Sequence, residues 1–387
     1  MKSPLHITPF SIRIEPEILS DLRERIRKTR WPDPAPGTAW EQGTDLDYLR
    51  QLVAYWAHEF DWHAQERELN AANQFRADLD GVHIHFVHER TRHGHGIPLI
   101  LTHGWPSTFV ELLPLVPFLT DPDAHNIDGP AFDVVIPSLP GYGFSERPAT
   151  PVNYQHVARL WHRLMRGLGY ERYGAQGGDF GAGVATFMAL NDPAPMIGVH
   201  LSNLEIAPYT GPGARPLSAA ERTYRERNEA FWQAEYGYKA IQSTKPQTLG
   251  YGLNDSPAGL AAWILEKWRS WADSRGNLDE RFSRDFLLTI VTLYWVTQTI
   301  TSSMRDYFDN DIRRFRITLG PEDFVNVPTS IAVFANTFVD EGTPPREWAE
   351  RLYNVRRWTP MPRGGHFAAA EEPELLARDI AAFFAGL

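Results

Sequence analysis

The 387-residue sequence contains no cysteine. Disulfide bonds, thiol catalysis and thiolate metal sites are therefore excluded, and the redox compartment is left open. No run of basic residues occurs, and the formal net charge of -10 argues against nucleic acid as a partner. Internal repeats and low-complexity tracts are also missing. Because 43% of the residues are hydrophobic and 22% are charged, the chain can build a substantial core.

Long hydrophobic runs are absent as well. At the amino terminus Lys2 is followed by no apolar core, so neither a signal peptide nor a membrane anchor is predicted. The most apolar run, residues 286–300, is too short and too rich in Thr and Gln to span a bilayer, and it predicts a buried helix. We therefore expect a soluble protein and a cytoplasmic location.

The hydrophobic spacing predicts an α/β fold with a mostly parallel sheet flanked by helices. A largely helical amino-terminal extension begins with Ile18, Leu22 and Ile26 at helical spacing. Strand-like segments start at residue 82 and alternate with helical ones, apart from a helical, aromatic-rich insertion that we interpret as a cap. The predicted regions are the extension (1–95), the first part of the core (96–205), the cap (206–315) and the second part of the core (316–387).

The segment "YGAQGGDFGAGVATF" has the pattern of a nucleophile elbow, in which a strand turns sharply into a helix. Its central residue is Asp179, flanked by Gly177, Gly178 and Gly181, and glycines suit a turn too tight for a Cβ. The backbone N–H of Phe180 opens the following helix and can donate to a developing oxyanion.

Two further segments complete the order of an α/β-hydrolase triad, which is nucleophile, acid and histidine. "PRGGHFAA" contains His366, and a carboxylate near residue 340 lies between it and Asp179. Upstream, "THGWP" follows a strand where a second oxyanion donor belongs, and we assign that donor to the Trp105 N–H. Each segment alone also fits an ordinary loop, but their joint order favours a catalytic site.

An aspartate at the elbow changes the chemistry, because a carboxylate needs no base to act as a nucleophile. Its attack on an sp³ carbon gives an alkyl ester, which water activated by His366 can hydrolyse. The elbow thus predicts epoxide opening or halide displacement. Phe180 stands where a halide-binding Trp would be useful, and the cap is rich in tyrosines that can protonate an epoxide oxygen.

The motifs HGWP, GGDFG, "STKPQTLGYGLNDSPAGLAAWILEKW" and "PRGGHFAA" resemble those of epoxide hydrolases of the microsomal and juvenile-hormone type, an α/β-hydrolase group with an amino-terminal extension. The resemblance covers essentially the whole chain. It implies a cofactor-independent enzyme, without a metal, that converts small-molecule epoxides to vicinal diols. It also implies Asp179 as nucleophile, His366 as water-activating base, and Tyr238 and Tyr307 as proton donors to the epoxide oxygen.

The triad acid follows less directly from the resemblance. The family places it after a strand and before a proline-rich turn that leads to a helix. Counting from the strand "SIAVF" reaches Thr337, which cannot serve, whereas counting back from "TPPREW" reaches Asp340. We assign Asp340, with Glu341 as the alternative.

Aromatic residues near these motifs are candidates for a substrate pocket. Phe109, Trp232 and Tyr236, with Trp105 and Phe180, would suit a bulky or aromatic epoxide, although cap aromatics often serve as core. The stretch "VHIHFVHERTRHGHG" has five histidines but no accompanying carboxylate or cysteine pattern, so surface histidines are favoured over a metal site.

Two other functions remain open at this point. A haloalkane dehalogenase would share the Asp nucleophile, and a hydrolase-fold protein could bind a small molecule without turning it over. The natural substrate, a role in detoxification or in natural-product biosynthesis, and the oligomeric state, with a homodimer as one alternative, are not fixed by the sequence.

Overall fold

The computed structural model describes residues 5–37, 39–310, 319–334 and 342–387. Within these residues the framework is a nine-stranded sheet with the strand order β1-β2-β3-β5-β4-β6-β7-β8-β9. The strands are β1 (Ile7–Phe10), β2 (Gln74–Leu79), β3 (Val82–Glu89), β4 (Ile97–Thr102), β5 (Phe132–Pro137), β6 (Tyr173–Gly177), β7 (Met196–Leu201), β8 (Val325–Phe334) and β9 (Tyr353–Met361).

The sheet is antiparallel on one side and parallel on the other. Strands β1, β2 and β3 pair antiparallel, and β3 joins β5 antiparallel. From β5 to β9 every neighbouring pair is parallel. Strands β4 and β6 lie side by side, and Thr102 at the end of β4 is in register with Gly177 at the end of β6. The HGWP segment and the elbow therefore leave the same edge of the sheet, where open α/β sheets bind their ligands.

Helices cover the sheet and form the cap. The amino-terminal helices are α1 (Pro16–Arg27), α2 (Leu46–His58) and α3 (Trp62–Leu69), and those of the first core part are α4 (Val116–Thr120), α5 (Tyr154–Gly167) and α6 (Phe180–Asn191). The cap contains α7 (Ala219–Glu235), α8 (Gly237–Thr244), α9 (Pro246–Leu253), α10 (Pro257–Trp271), α11 (Leu278–Arg281), α12 (Arg284–Thr297) and α13 (Ile300–Asp309). The chain returns to the core with α14 (Arg346–Ala349), α15 (Ala368–Glu371) and α16 (Pro373–Phe384).

The predicted α/β architecture with a helical cap is confirmed. Helix α6 is buried along almost its whole length, because its residues Gly181, Ala182, Gly183 and Ala185 let it lie close against the sheet. Helix α12 corresponds to the apolar run of residues 286–300, and its residues from Leu287 to Val296 are buried as expected. Among the described residues, no helix combines the length and the apolar character that crossing a membrane requires.

The amino-terminal extension differs from the prediction in its details. Ile18 is 39% exposed, and the neighbouring Leu19 is buried beside Leu22 and Ile26 in its place. The extension also contributes strands β1 and β2 to the central sheet, which the spacing did not reveal. β1 is a four-residue edge strand containing Pro9, and such strands give little periodic signal.

Candidate active site

The elbow holds Asp179 in a strained backbone conformation between β6 and α6. Its φ of 52° and ψ of -130° are unusual for a residue with a side chain, and such strain is concentrated at functional sites. The backbone after β4 must lie very close to the elbow for the turn to form. A Cβ on Gly181 would collide with the carbonyl group of Thr102, and a Cβ on Gly104 would collide with the Asp179 side chain.

The Asp179 carboxylate is held by two backbone donors. Its Oδ1 accepts hydrogen bonds from the Trp105 N–H at 2.9 Å and from the Phe180 N–H at 2.7 Å. These are the two donors that the sequence analysis assigned to the oxyanion hole. The Asp179 backbone N–H in turn donates to Oδ1 of Asn203 at 2.7 Å. Asn203, in the loop after β7, thus stabilises the conformation of the elbow. Asn203 was not predicted from the sequence, where its only signal is a polar side chain two residues after a buried strand.

His366 faces the other carboxylate oxygen. Its Nε2 lies 3.3 Å from Asp179 Oδ2, and its backbone N–H donates to the Trp271 carbonyl oxygen at 2.9 Å. The ring packs against Trp271 and Phe367 at centroid distances of 5.1 and 5.0 Å. Burial lowers the pKa of His366, but the hydrogen bond and charge of Asp179, with the charges of Glu111 and Glu205, outweigh burial and leave that pKa above its ordinary value.

Tyr238 and Tyr307 reach the site from the cap. Tyr238 lies on α8 and Tyr307 on α13, both are buried, and a side-chain hydrogen bond joins them. Their rings pack against Trp105 at centroid distances of 5.7 and 5.5 Å, and Tyr307 packs edge-on against Phe180 at 4.9 Å. Burial raises the pKa of both tyrosines well above the ordinary range. The next largest cause is the charge of Asp179 for Tyr238, and the interaction with Tyr238 for Tyr307. Both hydroxyls therefore keep their protons at neutral pH.

The two carboxylates proposed for the triad acid, Asp340 and Glu341, lie outside the described residues, as does Thr337. Their assignment remains a prediction from the sequence.

A cavity of about 350 Å³ lies beside Asn203, the residue that accepts the Asp179 backbone N–H. Asp179, His366 and the two hydrogen-bonded tyrosines do not line it. It is lined by Asn203, by the half-buried Glu205 and by residues of the cap that include Trp232, Tyr236 and Lys239. Desolvation, and next the charge of Asp179, raises the pKa of Glu205 to about 7. Two of the three predicted pocket aromatics, Trp232 and Tyr236, thus line this cavity.

Phe109, the third predicted pocket aromatic, lies elsewhere. It is fully buried and packs edge-on against His85 at a centroid distance of 4.9 Å, among the side chains of the core. Phe109 follows the HGWP segment closely in sequence, but its short 3₁₀ helix, Phe109–Leu115, directs it into the core.

The histidine-rich stretch agrees only in part with the prediction of surface residues, because His83, His93 and His95 are exposed and the other two are not. His85 and His88 are buried, and each has its own protein partners. His85 contacts Ser138 and Gln74, while His88 contacts the hydroxyl of Tyr170. Burial, mainly, lowers the pKa of His85 to about 3, so its ring is neutral. The described residues contain no group of three or more His, Asp or Glu side chains placed to hold a metal ion.

Two family profiles match this chain. The profile described as "Epoxide hydrolase N terminus" matches residues 7–112, and the "alpha/beta hydrolase fold" profile matches residues 97–248.

Curated relatives match over nearly the full chain. "Epoxide hydrolase 1" of Oryctolagus cuniculus is 37% identical, with 97% of this chain and 88% of the relative covered. "Juvenile hormone epoxide hydrolase 2" of Ctenocephalides felis is 36% identical, with 96% of this chain and 84% of the relative covered.

Solved structures agree with these relatives. The juvenile hormone epoxide hydrolase from the silkworm Bombyx mori superposes with a TM-score of 0.88 at 32% identity, covering 98% of this chain and 94% of that one. The Aspergillus niger epoxide hydrolase gives a TM-score of 0.83 at 30% identity, covering 98% and 96%. The resemblance inferred from HGWP, GGDFG and the His366 motif is confirmed. The chain belongs to the epoxide hydrolase family, in the group that includes the juvenile hormone enzymes.

Proposed function

We propose that the protein converts an epoxide to a vicinal diol through an alkyl ester on Asp179. The main support is the unequal environment of the two carboxylate oxygens. Oδ1 already accepts two backbone N–H groups, whereas Oδ2 has no backbone donor among the described residues and faces His366. Oδ2 is therefore the oxygen we assign to attack on carbon.

The first half-reaction joins Asp179 to the substrate. Oδ2 forms a bond to one epoxide carbon, and the bond from that carbon to the ring oxygen breaks. Tyr238 and Tyr307 stabilise the departing oxygen by hydrogen bonding, and one of them transfers its proton to it. The resulting tyrosinate regains a proton from solvent. Because both tyrosines carry raised pKa values, they favour the protonated state that this donation requires.

The second half-reaction hydrolyses the ester. His366 removes a proton from water as the water oxygen attacks the Asp179 carboxyl carbon, and the negative charge develops on Oδ1 between the two N–H donors. Collapse breaks the bond between the carboxyl carbon and Oδ2, and the diol oxygen takes the proton from His366. The regenerated carboxylic acid then loses its proton to solvent. Alkylation itself prepares this step, because it removes the Asp179 charge that raised the His366 pKa and so makes the imidazole available as a base.

We propose that the cavity beside Asn203 receives the substituent of a bulky, aryl-substituted epoxide whose three-membered ring lies at Asp179. The cavity volume of about 350 Å³ falls within the range of about 300–1,000 Å³ typical of small-molecule sites. Trp232 and Tyr236 supply flat apolar surfaces, while Glu205 and Lys239 add polar groups to the lining. We expect styrene oxide and larger aryl epoxides to be turned over faster than small aliphatic epoxides in a matched panel.

A single turnover in ¹⁸O-labelled water tests the ester. With enzyme in excess over styrene oxide, the label should enter the peptide that contains Asp179 and leave the diol unlabelled. Enzyme kept in labelled water without substrate serves as the control for exchange. Label that appears first in the diol, with unlabelled protein, would show direct attack by water and refute the proposal.

The same preparation addresses the two alternatives. A haloalkane dehalogenase would release halide from a bromoalkane and would have no use for two hydrogen-bonded tyrosines opposite the nucleophile. A binding protein without turnover would form no diol from any epoxide of the panel.

A further inference from the structure

A second, much smaller cavity lies directly beside the Asp179–His366 pair. Its volume is about 10 Å³, close to the minimum that one water molecule requires. Besides Asp179 and His366, its lining includes Glu111, Gln176 and Ser107. The cavity therefore joins both reacting protein groups to polar side chains that the two half-reactions described above do not use.

Gln176 is the first of these polar side chains. It lies on β6, three residues before the nucleophile, and is 2% exposed. Its Oε1 has no hydrogen-bond partner in the described part of the chain. Because leaving a buried acceptor unsatisfied costs about 1–3 kcal/mol, a glutamine at this position indicates a partner that is not a protein side chain.

Glu111 is the second. It interrupts the apolar segment "FVELLPL" of the 3₁₀ helix and is 9% exposed. The hydroxyl of Ser107 donates a hydrogen bond to its carboxylate. Burial raises the pKa of Glu111 to about 7, and His366 acts in the opposite direction. A carboxyl group inside an apolar helix is costly to bury, so a role at the neighbouring cavity explains its presence better than packing does.

We propose that this cavity holds the water molecule that hydrolyses the ester, and that Gln176 and Glu111 are its positioning residues. The inference rests on the ester mechanism proposed above. One hydrogen of the water points to Nε2 of His366, and the other points to Gln176 Oε1 or to the Glu111 carboxyl group. A lone pair of the water oxygen then faces the Asp179 carboxyl carbon. The new carbon–oxygen bond forms as the first hydrogen passes to His366, with atoms and charge balanced as in the second half-reaction.

The test separates ester formation from ester breakdown. Gln176→Leu and Glu111→Leu each remove one polar partner of the water at similar volume, and Glu111→Gln retains a hydrogen-bonding group. Single-turnover quenched flow with styrene oxide, followed by intact-protein mass spectrometry, gives both rates. We expect ester formation within about twofold of the wild type and breakdown slowed about tenfold by either leucine, the kinetic equivalent of one hydrogen bond. Glu111→Gln should recover most of the breakdown rate.

Gln242→Leu is the matched control, since Gln242 is also fully buried and also carries a side-chain atom without a hydrogen-bond partner among the described residues. Gln242 lies on α8, where its Oε1 accepts a hydrogen bond from the Trp263 indole N–H. This variant should leave the breakdown rate unchanged. Unchanged breakdown in Gln176→Leu and Glu111→Leu, or a parallel fall of both rates, would overturn the inference. So would a crystal structure of His366→Gln with no water within hydrogen-bond distance of Gln176 Oε1, a measurement that does not depend on how the leucine variants fold. Failure of the wild type to form any ester would instead refute the proposed function.

Discussion

Removing the hydroxyls of Tyr238 and Tyr307 gives the sharpest test of how the epoxide ring opens. The two side chains are hydrogen-bonded to each other, and both rings pack against Trp105. Each hydroxyl is expected to donate to the same departing oxygen. A hydrogen bond to a charged group contributes about 1.5–3 kcal/mol, so a single Phe variant should slow alkylation by about 10- to 150-fold.

The double variant should lose more than the product of the two single effects. In either single variant the remaining hydroxyl still donates to the oxygen, whereas the double variant leaves neither a donor nor a proton source. The effects of substituting two residues in direct contact are often not additive. We expect alkylation in the double variant to fall by at least about 10⁴-fold, taking two such hydrogen bonds and the lost proton transfer together.

The assay is single-turnover quenched flow, with the ester detected by mass spectrometry. Ester breakdown should stay near the wild-type rate in both single variants, because His366 and the oxyanion donors are intact. Tyr353→Phe is a matched control, since Tyr353 is buried on β9 and its hydroxyl contacts only Thr186 among the hydrogen bonds described. It should cost about 1 kcal/mol of stability and leave both rates unchanged. A folded double variant that alkylates within threefold of the wild type would refute the assignment.

Four further predictions follow from the site. His366→Gln should form the ester at a near-normal rate and accumulate it, visible as an added substrate mass on the protein; rapid diol release would contradict this. In the wild type, the rate of ester breakdown should rise with pH, and its midpoint should lie below the His366 pKa of the free enzyme. In the ester the Asp179 charge is gone while burial still lowers the His366 pKa. Single-turnover rates give the midpoint, and an NMR titration of the free enzyme gives the pKa for comparison. Trp232→Ala should raise KM for aryl epoxides about three- to tenfold and leave small aliphatic epoxides unaffected. Gly181→Ala should destabilise the fold by about 3 kcal/mol through collision with the Thr102 carbonyl group, measured by denaturant unfolding.

Three of these predictions have a direct comparison. The control for Gly181→Ala is Gly252→Ala on α9, whose added Cβ meets open space and should leave the free energy of unfolding unchanged or raise it. For the tryptophan, an equal rise of KM across all epoxides would mean that the cavity does not select the substituent. For the pH profile, a breakdown midpoint at or above the value of the free enzyme would show that the Asp179 charge does not control His366.

Residues whose role depends on local geometry were predictable from the sequence. A tight turn needs glycines around Asp179, and a parallel strand must deliver Trp105 to the same edge of the sheet. The structure brings these residues together with His366, within hydrogen-bond distance or close to it. The tyrosine positions came from family resemblance, because nothing in local spacing says that α8 and α13 meet above the elbow.

Residues whose role depends on packing were harder to predict. Ile18 and Leu19 are equally apolar neighbours, and only contact with other elements decides that Leu19 is buried. The sequence also did not indicate the helical turn that residues Ala368–Glu371 form directly after the His366 loop. Gln176 and Glu111 did carry a signal, since each is a polar residue inside an apolar run, but the sequence did not show that both face one cavity.

In the proposed mechanism, the cap supplies the ring-opening tyrosines and the sheet edge supplies the nucleophile. Tyr238 and Tyr307 belong to cap helices, while Asp179, His366 and the two N–H donors to Asp179 belong to strand ends, loops and the start of α6 in the core. His366 also contacts the cap, because its backbone N–H donates to the carbonyl oxygen of Trp271 at the end of α10. A substitution that moves α8 or α13 would therefore act first on ring opening, whereas one that moves α10 would also reach the histidine assigned to ester hydrolysis.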